Sequence, residues 1–185
     1  MSTEGGGAGE GGVGAIDLRA LVREVDDFPT PGVGFKDITP LLADPQALPQ
    51  TISDLAAWVR AKGADLVVGA EARGFILGAA VAAQAGCGFV PARRPGKLPP
   101  ETLAATYVLE YGENVLEMHP DLIPIGARVV IHDDVLATGG TVDAICGLIE
   151  RIGGEVVGAC FIIELGFLGA RDRLAGLDLY SLITY

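Results

Sequence analysis

The densest run of chemistry-bearing residues in the chain is Val129-Val130-Ile131-His132-Asp133-Asp134-Val135-Leu136-Ala137-Thr138-Gly139-Gly140-Thr141. An apolar strand over Arg128 to Ile131 leads into two carboxylates. A turn of small residues follows, and the spacing of apolar residues predicts a helix from Thr141 to Ile152. Gly139 and Gly140 allow an anion to approach the main chain. The N–H groups there, with the N-terminus of the next helix, turn donors toward it. Thr138 and Thr141 add hydroxyls, and Ala137 completes the turn. Carboxylates repel a phosphate they touch, so Asp133 and Asp134 suit a neighbouring group that donates hydrogen bonds, such as the diol of a ribose. Adjacent strand residues face opposite ways, so both aspartates reach one ligand only if the strand has ended before them. The nucleoside-triphosphate loop is excluded, because no G-x-x-x-x-G-K-[ST] run occurs. The competing reading is a plain strand–turn–helix in which Asp134 caps the turn.

A second strand-to-helix junction reads Val68-Gly69-Ala70-Glu71-Ala72-Arg73-Gly74-Phe75. Arg73 offers a planar, permanently charged fork for phosphate oxygens, and the helix after Gly74 offers main-chain donors. An arginine at such a turn also serves simply as a surface residue. Arg93, Arg94 and Lys97 form the densest basic cluster of the chain; a solvated loop is the competing reading, and the one preferred for Arg94.

The elements that must hold these junctions follow an alternating rhythm. Strands are predicted at Leu66–Val68, Gly88–Ala92, Val156–Leu165 and Leu179–Thr184, and an apolar helix at Phe75–Ala85. Apolar runs separated by helices predict an α/β fold with a mostly parallel twisted sheet flanked by helices, whose ligands sit at the carboxyl ends of the strands. Earlier in the chain, Ile16, Leu18, Leu21, Val22 and Val25 lie at helical spacing, and Phe28–Gly34 is a rigid loop. A helix is predicted over Pro45–Ala61, with Asp44 as its N-cap and Pro45 at its first position. Residues 93–120 interrupt the rhythm with a polar excursion, a flexible lid whose hairpin strands are Thr106–Tyr111 and Asn114–Met118. Residues 1–14 read as a disordered Gly-rich tail, and residues 15–185 as one domain.

The 185 residues carry a net charge of −11, and half of them are apolar. That balance argues against a nucleic-acid partner, which needs a basic stripe, and points to a small anion held in a built pocket. Phe75–Val90, the most apolar stretch, is too short for a bilayer span and contains Gln84. No secretory signal opens the chain. Cys87, Cys146 and Cys160 lie in apolar surroundings without metal spacing, and read as buried free thiols. A cytoplasmic protein without membrane contact is expected.

The run from Val129 to Thr141 resembles the phosphoribosyl pyrophosphate signature of the type I phosphoribosyltransferases. The resemblance implies that Asp133 and Asp134 hold the ribose hydroxyls and that Ala137, Thr138, Gly139, Gly140 and Thr141 hold the 5′-phosphate. His132 stands where an apolar residue is usual. The same family places a pyrophosphate loop at Ala70–Arg73. That implies leaving-group contacts from Glu71, Ala72 and Arg73 and a cis peptide at Glu71–Ala72. Arg93 and Lys97 match basic residues that reach pyrophosphate, in part from a partner subunit, which implies a homodimer. Phe28–Leu42 resembles the amino-terminal segment of family members that act on adenine, where Val33, Phe35 and Lys36 fall in the base site. Gly34 and Lys36 replace the usual larger apolar residue and arginine. Arg94-Pro95-Gly96-Lys97-Leu98-Pro99 and Thr106–Gly112 are similar to that group's lid, and Glu110 matches its hood glutamate, a proton-transfer group for adenine. The implied reaction joins adenine to phosphoribosyl pyrophosphate, giving AMP and pyrophosphate, with Mg²⁺ held mainly through substrate oxygens. A family member acting on another base, and a regulator that only senses phosphoribosyl pyrophosphate, remain open at this point.

Overall fold

The computed structural model describes residues 16–109 and 112–185, which group into two compact units, one ending at Ala47 and the other spanning Leu48–Tyr185. In the first, the helix predicted over residues 16–25 shrinks to one 3-10 turn, Leu18–Leu21, capped by Asp17, whose Oδ1 accepts from the amides of Arg19 and Ala20. Strand β1 (Arg23–Val25) then pairs antiparallel with β2 (Phe35–Asp37). Cross-strand pairing, invisible to local periodicity, takes the residues a longer helix would need. The loop between the strands is closed by Asp27, whose carboxylate accepts from the Gly32 amide at 2.7 Å, and by the edge-to-face rings of Phe28 and Phe35. Helix α1 (Thr39–Ala43), absent from the sequence reading, starts where Asp37 accepts from both the amide and the hydroxyl of Thr39. Asp44 caps the next helix, α2 (Ala47–Ala61), through the amides of Gln46 and Ala47, so Pro45 precedes that helix instead of opening it.

From Leu48 onward the chain builds a parallel sheet from β3 (Leu66–Ala70), β4 (Gly88–Ala92), β7 (Arg128–Leu136), β8 (Glu155–Glu164) and β9 (Leu179–Thr184), in the order β4-β3-β7-β8-β9. Helix α3 (Arg73–Ala85) connects β3 to β4, and α4 (Gly140–Ile152) connects β7 to β8. Four consecutive β8 residues, Cys160–Ile163, are fully buried, as a strand covered on both faces requires. Ile145, Leu148 and Ile149 of α4 pack into the core formed with Val129, Ile131 and Phe161. α3 lies close against the sheet because it carries glycine at the contact. A Cβ at Gly74 would meet the His132 carbonyl at 2.8 Å, and one at Gly78 would meet the Phe89 ring at 2.7 Å. Cys160 is buried as expected, whereas Cys87 and Cys146 are only half-buried; all three are free.

Strand β5 (Leu103–Leu109) pairs antiparallel with β6 (Gly112–Met118), as the predicted hairpin requires, with β5 starting three residues and β6 two residues earlier than predicted. Its base is tied down by the reciprocal main-chain bonds of Arg93 with Glu117, and by Arg151 of α4, which donates to the Ala104 carbonyl at 2.9 Å. A last short helix, α5 (Ala170–Arg173), lies between β8 and β9.

Candidate active site

The strand order reverses between β3 and β7: the chain leaves β3 toward β4 on one side and leaves β7 toward β8 on the other. A crevice therefore opens at the carboxyl ends of these two strands, where open α/β sheets bind ligands. Both chemistry-bearing junctions end there. The loop after β3 supplies Arg73. The end of β7, the turn after it and the start of α4 supply Asp133 to Thr141. Together they line one cleft of about 220 Å³.

The sequence required the strand to end before the two aspartates, and it does not: β7 runs on to Leu136. The reason is a difference in strand length. Pairing with β3 stops at Gly69–His132, while pairing with β8 continues to Leu136–Glu164. From Asp133 onward β7 is an overhang with one free edge. The Asp134 amide, released from the β3 ladder, instead donates to Asp133 Oδ1 at 2.9 Å. Both carboxylates thus line the same cleft, despite the alternation of a regular strand.

Asp134 is 2% exposed, and its Oδ2 lies 2.9 Å from Arg73 Nε across the crevice. Burial pushes the Asp134 carboxyl up from its ordinary value, and the Arg73 guanidinium opposes that rise. Asp133 is pushed well above the ordinary carboxylate range, by burial first and then by the charge of Asp134. Just before them, His132 is buried on the α3 side. Burial lowers its pKa to about 4, against the bond between its Nδ1 and the Cys160 carbonyl. A neutral ring there fills the place of an apolar residue.

The turn beyond Leu136 consists of small residues and leads directly into α4. Gly139 is left-handed (φ 81°) and stands at the N-cap of α4, which begins at Gly140 with no side chain capping its amides. Those N–H groups and the hydroxyls of Thr138 and Thr141 border the cleft. Behind the turn, Ala170 and Leu174 lie 3.5 Å or less from where a Cβ of Gly139 would stand.

At the other junction the Glu71–Ala72 peptide is cis, as the resemblance implied. The Glu71 carboxylate accepts from Arg93 Nε and Nη2 and, at 2.9 Å, from the Arg94 amide. These bonds, the Arg94 amide foremost, lower its pKa. Arg93 also donates to the Lys97 carbonyl and lies over the Phe75 ring. The side chains of Arg94 and Lys97 are exposed. Of the residues singled out earlier in the chain, Val33, Phe35 and Lys36 are half-buried in the first unit, where Lys36 pairs with Glu24 of the neighbouring strand. Glu110 lies outside the described residues. Among the described residues, no group of three or more His, Cys, Asp or Glu side chains is placed to hold a metal ion, and no helix is long and apolar enough to cross a membrane.

Sequence reasoning passed over one charged group next to this site. Glu164, the last residue of β8, is 3% exposed and accepts two bonds of 2.7 Å from Arg171 of α5. A carboxylate closing an apolar strand, followed by Arg171-Asp172-Arg173, was the available signal.

A parallel sheet with a phosphate turn and an acidic pair at its reversal point defines a phosphoribosyl-transferring class of enzyme, and the phosphoribosyl transferase domain family matches residues 41–175. An adenine phosphoribosyltransferase of Desulfitobacterium hafniense is 53% identical over 92% of this chain and 99% of its own length. The crystal structure of adenine phosphoribosyltransferase from Thermoanaerobacter pseudethanolicus superposes with a TM-score of 0.88 at 49% identity, covering 91% of this chain and 98% of that one. The enzyme of Saccharomyces cerevisiae, solved with an imino-altritol bisphosphate and adenine, has a TM-score of 0.83 at 34% identity, covering 89% and 96%. The chain belongs to the phosphoribosyltransferase family and, within it, to the adenine phosphoribosyltransferases.

Proposed function

We propose that the cleft at the β3/β7 reversal runs the purine-salvage reaction of this family: the phosphoribosyl group of phosphoribosyl pyrophosphate passes to adenine, giving AMP and pyrophosphate. The observation that carries the reading is the convergence of Asp133, Asp134, Arg73 and the turn Ala137–Thr141 on one cleft. The turn binds the 5′-phosphate through main-chain donors and hydroxyls. The two carboxylates accept from the ribose hydroxyls. Arg73, with Glu71, Ala72, Arg93 and Lys97, holds the pyrophosphate side.

Substrate exchanges the Arg73–Asp134 pair for new partners. Pyrophosphate oxygens take the guanidinium, and the freed carboxylate turns to the sugar. As the bond from C1′ to pyrophosphate breaks and adenine N9 attacks, positive charge grows on the sugar. Asp133 and Asp134 stand on that side and stabilise it. Two adjacent carboxylates offer hard oxygen donors that fit Mg²⁺. With no third acidic partner among the described residues, most of the ion's ligands come from substrate and water. When bound, Mg²⁺ offsets the negative charge of the pyrophosphate. Val33, Phe35 and Lys36 supply adenine recognition, and Glu110 handles the proton that adenine gives up. Closure of the hood over the sugar excludes water. The active form is a homodimer of the cytoplasm in which Arg93 and Lys97 serve in part across subunits, and residues 15–185 act as one domain behind a Gly-rich tail.

The test is a turnover panel with phosphoribosyl pyrophosphate, Mg²⁺ and each of adenine, hypoxanthine, guanine and orotate, repeated with Glu110→Gln. AMP from adenine alone is expected, with the variant losing kcat more than affinity. Product from another base overturns the role of residues 28–42. Tight binding of phosphoribosyl pyrophosphate without any product overturns the enzyme reading in favour of a sensor.

A further inference from the structure

We infer that α5 is a strut that fixes the phosphate turn from behind, and that the Glu164–Arg171 pair is its anchor and a positioning element for the 5′-phosphate. The inference rests on the reading that residues 137–141 hold that phosphate.

The turn begins at Ala137, directly after Leu136. Leu136 is paired with Glu164 on β8, and its carbonyl accepts from the Leu165 amide at 2.9 Å. The end of β8 and the start of the turn are therefore one rigid piece. Glu164 carries a buried charge there, and Arg171 meets it with two parallel bonds of 2.7 Å from a side chain that is itself mostly exposed. Such a bidentate pair fixes the direction of its partner as well as its distance. Arg171 thereby locks the first turn of α5 onto β8.

At the other end of α5, Arg173 reaches Asp143 in the first turn of α4 at 3.4 Å, a longer and more exposed contact. α5 thus bridges β8, whose end is paired with the strand that enters the turn, and α4, which leaves it. On either side of the two tethers, Ala170 and Leu174 are buried and stand 3.5 Å or less from where a Cβ of Gly139 would be, the left-handed residue at the N-cap of α4. Main-chain donors lack the reach of a side chain and cannot re-aim themselves one at a time. Their alignment depends on the backbone being held, and displacement by about an ångström costs a large part of binding. A loosened α5 lets Gly139 relax and spreads the donors.

The test measures kcat, KM for phosphoribosyl pyrophosphate, KM for adenine and thermal midpoint in Arg171→Met, Arg171→Lys and the double variant Glu164→Gln with Arg171→Met. Arg171→Met strands a buried carboxylate and lowers the midpoint. The double variant removes that charge and recovers the midpoint. A folding defect alone therefore disappears in the double variant, whereas a positioning defect stays. The expected result is a rise in KM for phosphoribosyl pyrophosphate of about tenfold in both, with KM for adenine unchanged, and partial rescue by Arg171→Lys, which keeps one bond but loses the fork. Parallel changes in the two KM values, or a normal KM for phosphoribosyl pyrophosphate in the double variant, overturn the strut. Thr141→Val, which removes a donor from the turn itself, separates the two layers. If it raises that KM while the Arg171 variants do not, the strut alone fails. If it leaves that KM unchanged, the phosphate reading of the turn fails and the strut with it.

Discussion

The two loops that close on the cleft are both strand-to-helix junctions of the same sheet, and under the proposed function they meet an anion in opposite ways. The junction after β7 uses neutral donors: the uncapped amides at the start of α4 and the hydroxyls of Thr138 and Thr141. Neutral donors need no counter-charge, so this loop requires no paired carboxylate of its own. The other side uses charged side chains, from the junction after β3 and from the end of β4, and Arg73 and Arg93 are already matched. Arg73 faces Asp134, and Arg93 faces Glu71. An unmatched charge in a partly buried cleft is costly, so this side must trade partners when substrate arrives. One side is aimed by geometry and the other by exchange. In an acidic chain, that division leaves Arg73 and Arg93 paired with carboxylates until a polyanion takes them.

The largest effect is expected where the two systems meet. Asp134→Asn keeps the shape of the side chain but removes the charge that both Arg73 and the sugar use. Loss of a charge aligned with a developing transition-state charge reduces kcat by about 10² to 10³. The fall should be in kcat more than in affinity, because Arg73, released from Asp134, meets pyrophosphate without first giving up a partner. Steady-state kinetics with adenine held saturating checks this. A variant that loses only affinity would mean that Asp134 merely stores Arg73.

The same division explains what was legible in the sequence. Helices α3 and α4 and strands β3, β4, β8 and β9 have bounds close to those the apolar runs predict, because their signals are local. Gly86 and Gly153 end the two helices as left-handed caps. The phosphate turn was legible for the same reason, since glycine, threonine and the strand before them are consecutive. What escaped depends on partners far away in sequence. β1 and β2 exist only as a pair. The overhang that carries Asp133 and Asp134 exists because β3 stops early while β8 runs on, and no window around residue 133 contains that information. Glu164 sits unmarked inside the strand predicted over Val156–Leu165, because its meaning comes from Arg171 folding back over it.

A smaller effect tests the neutral side. Gly139→Ala places a Cβ 3.2 Å from Leu174 at a φ of 81°. The left-handed conformation costs about 1–2 kcal/mol for an L-residue, and the turn opens to relieve it. KM for phosphoribosyl pyrophosphate should rise about tenfold by that amount of free energy. No titrating group lies in this change, so the ratio of variant to native KM should be flat across pH. A ratio that varies with pH would show that the turn borrows its affinity from the charged side, and the contrast between the two loops would be lost.

The smallest effect concerns stability and comes from the acidic pair at the end of β7. Burial and the neighbouring Asp134 hold the Asp133 carboxyl well above its ordinary value. A group whose folded pKa is raised favours the folded state while it is protonated, and that contribution is lost as pH rises through the raised value. At neutral pH the native chain therefore carries a penalty that Asp133→Asn removes. The amide keeps an oxygen for the Asp134 N–H and gains a donor toward the Asp134 carboxylate, so the local geometry survives. The variant should melt higher than the native chain at neutral pH, by roughly 2–4 °C for each kcal/mol of relief in a domain of this size. The difference should shrink as the pH falls toward the ordinary carboxylate range and the native Asp133 takes up its proton. Turnover should fall in the same variant, because the sugar loses an acceptor, so stability and activity move in opposite directions at one residue. A midpoint that does not rise, or a gain that persists unchanged at low pH, would mean that Asp133 is ionised in the folded chain without cost.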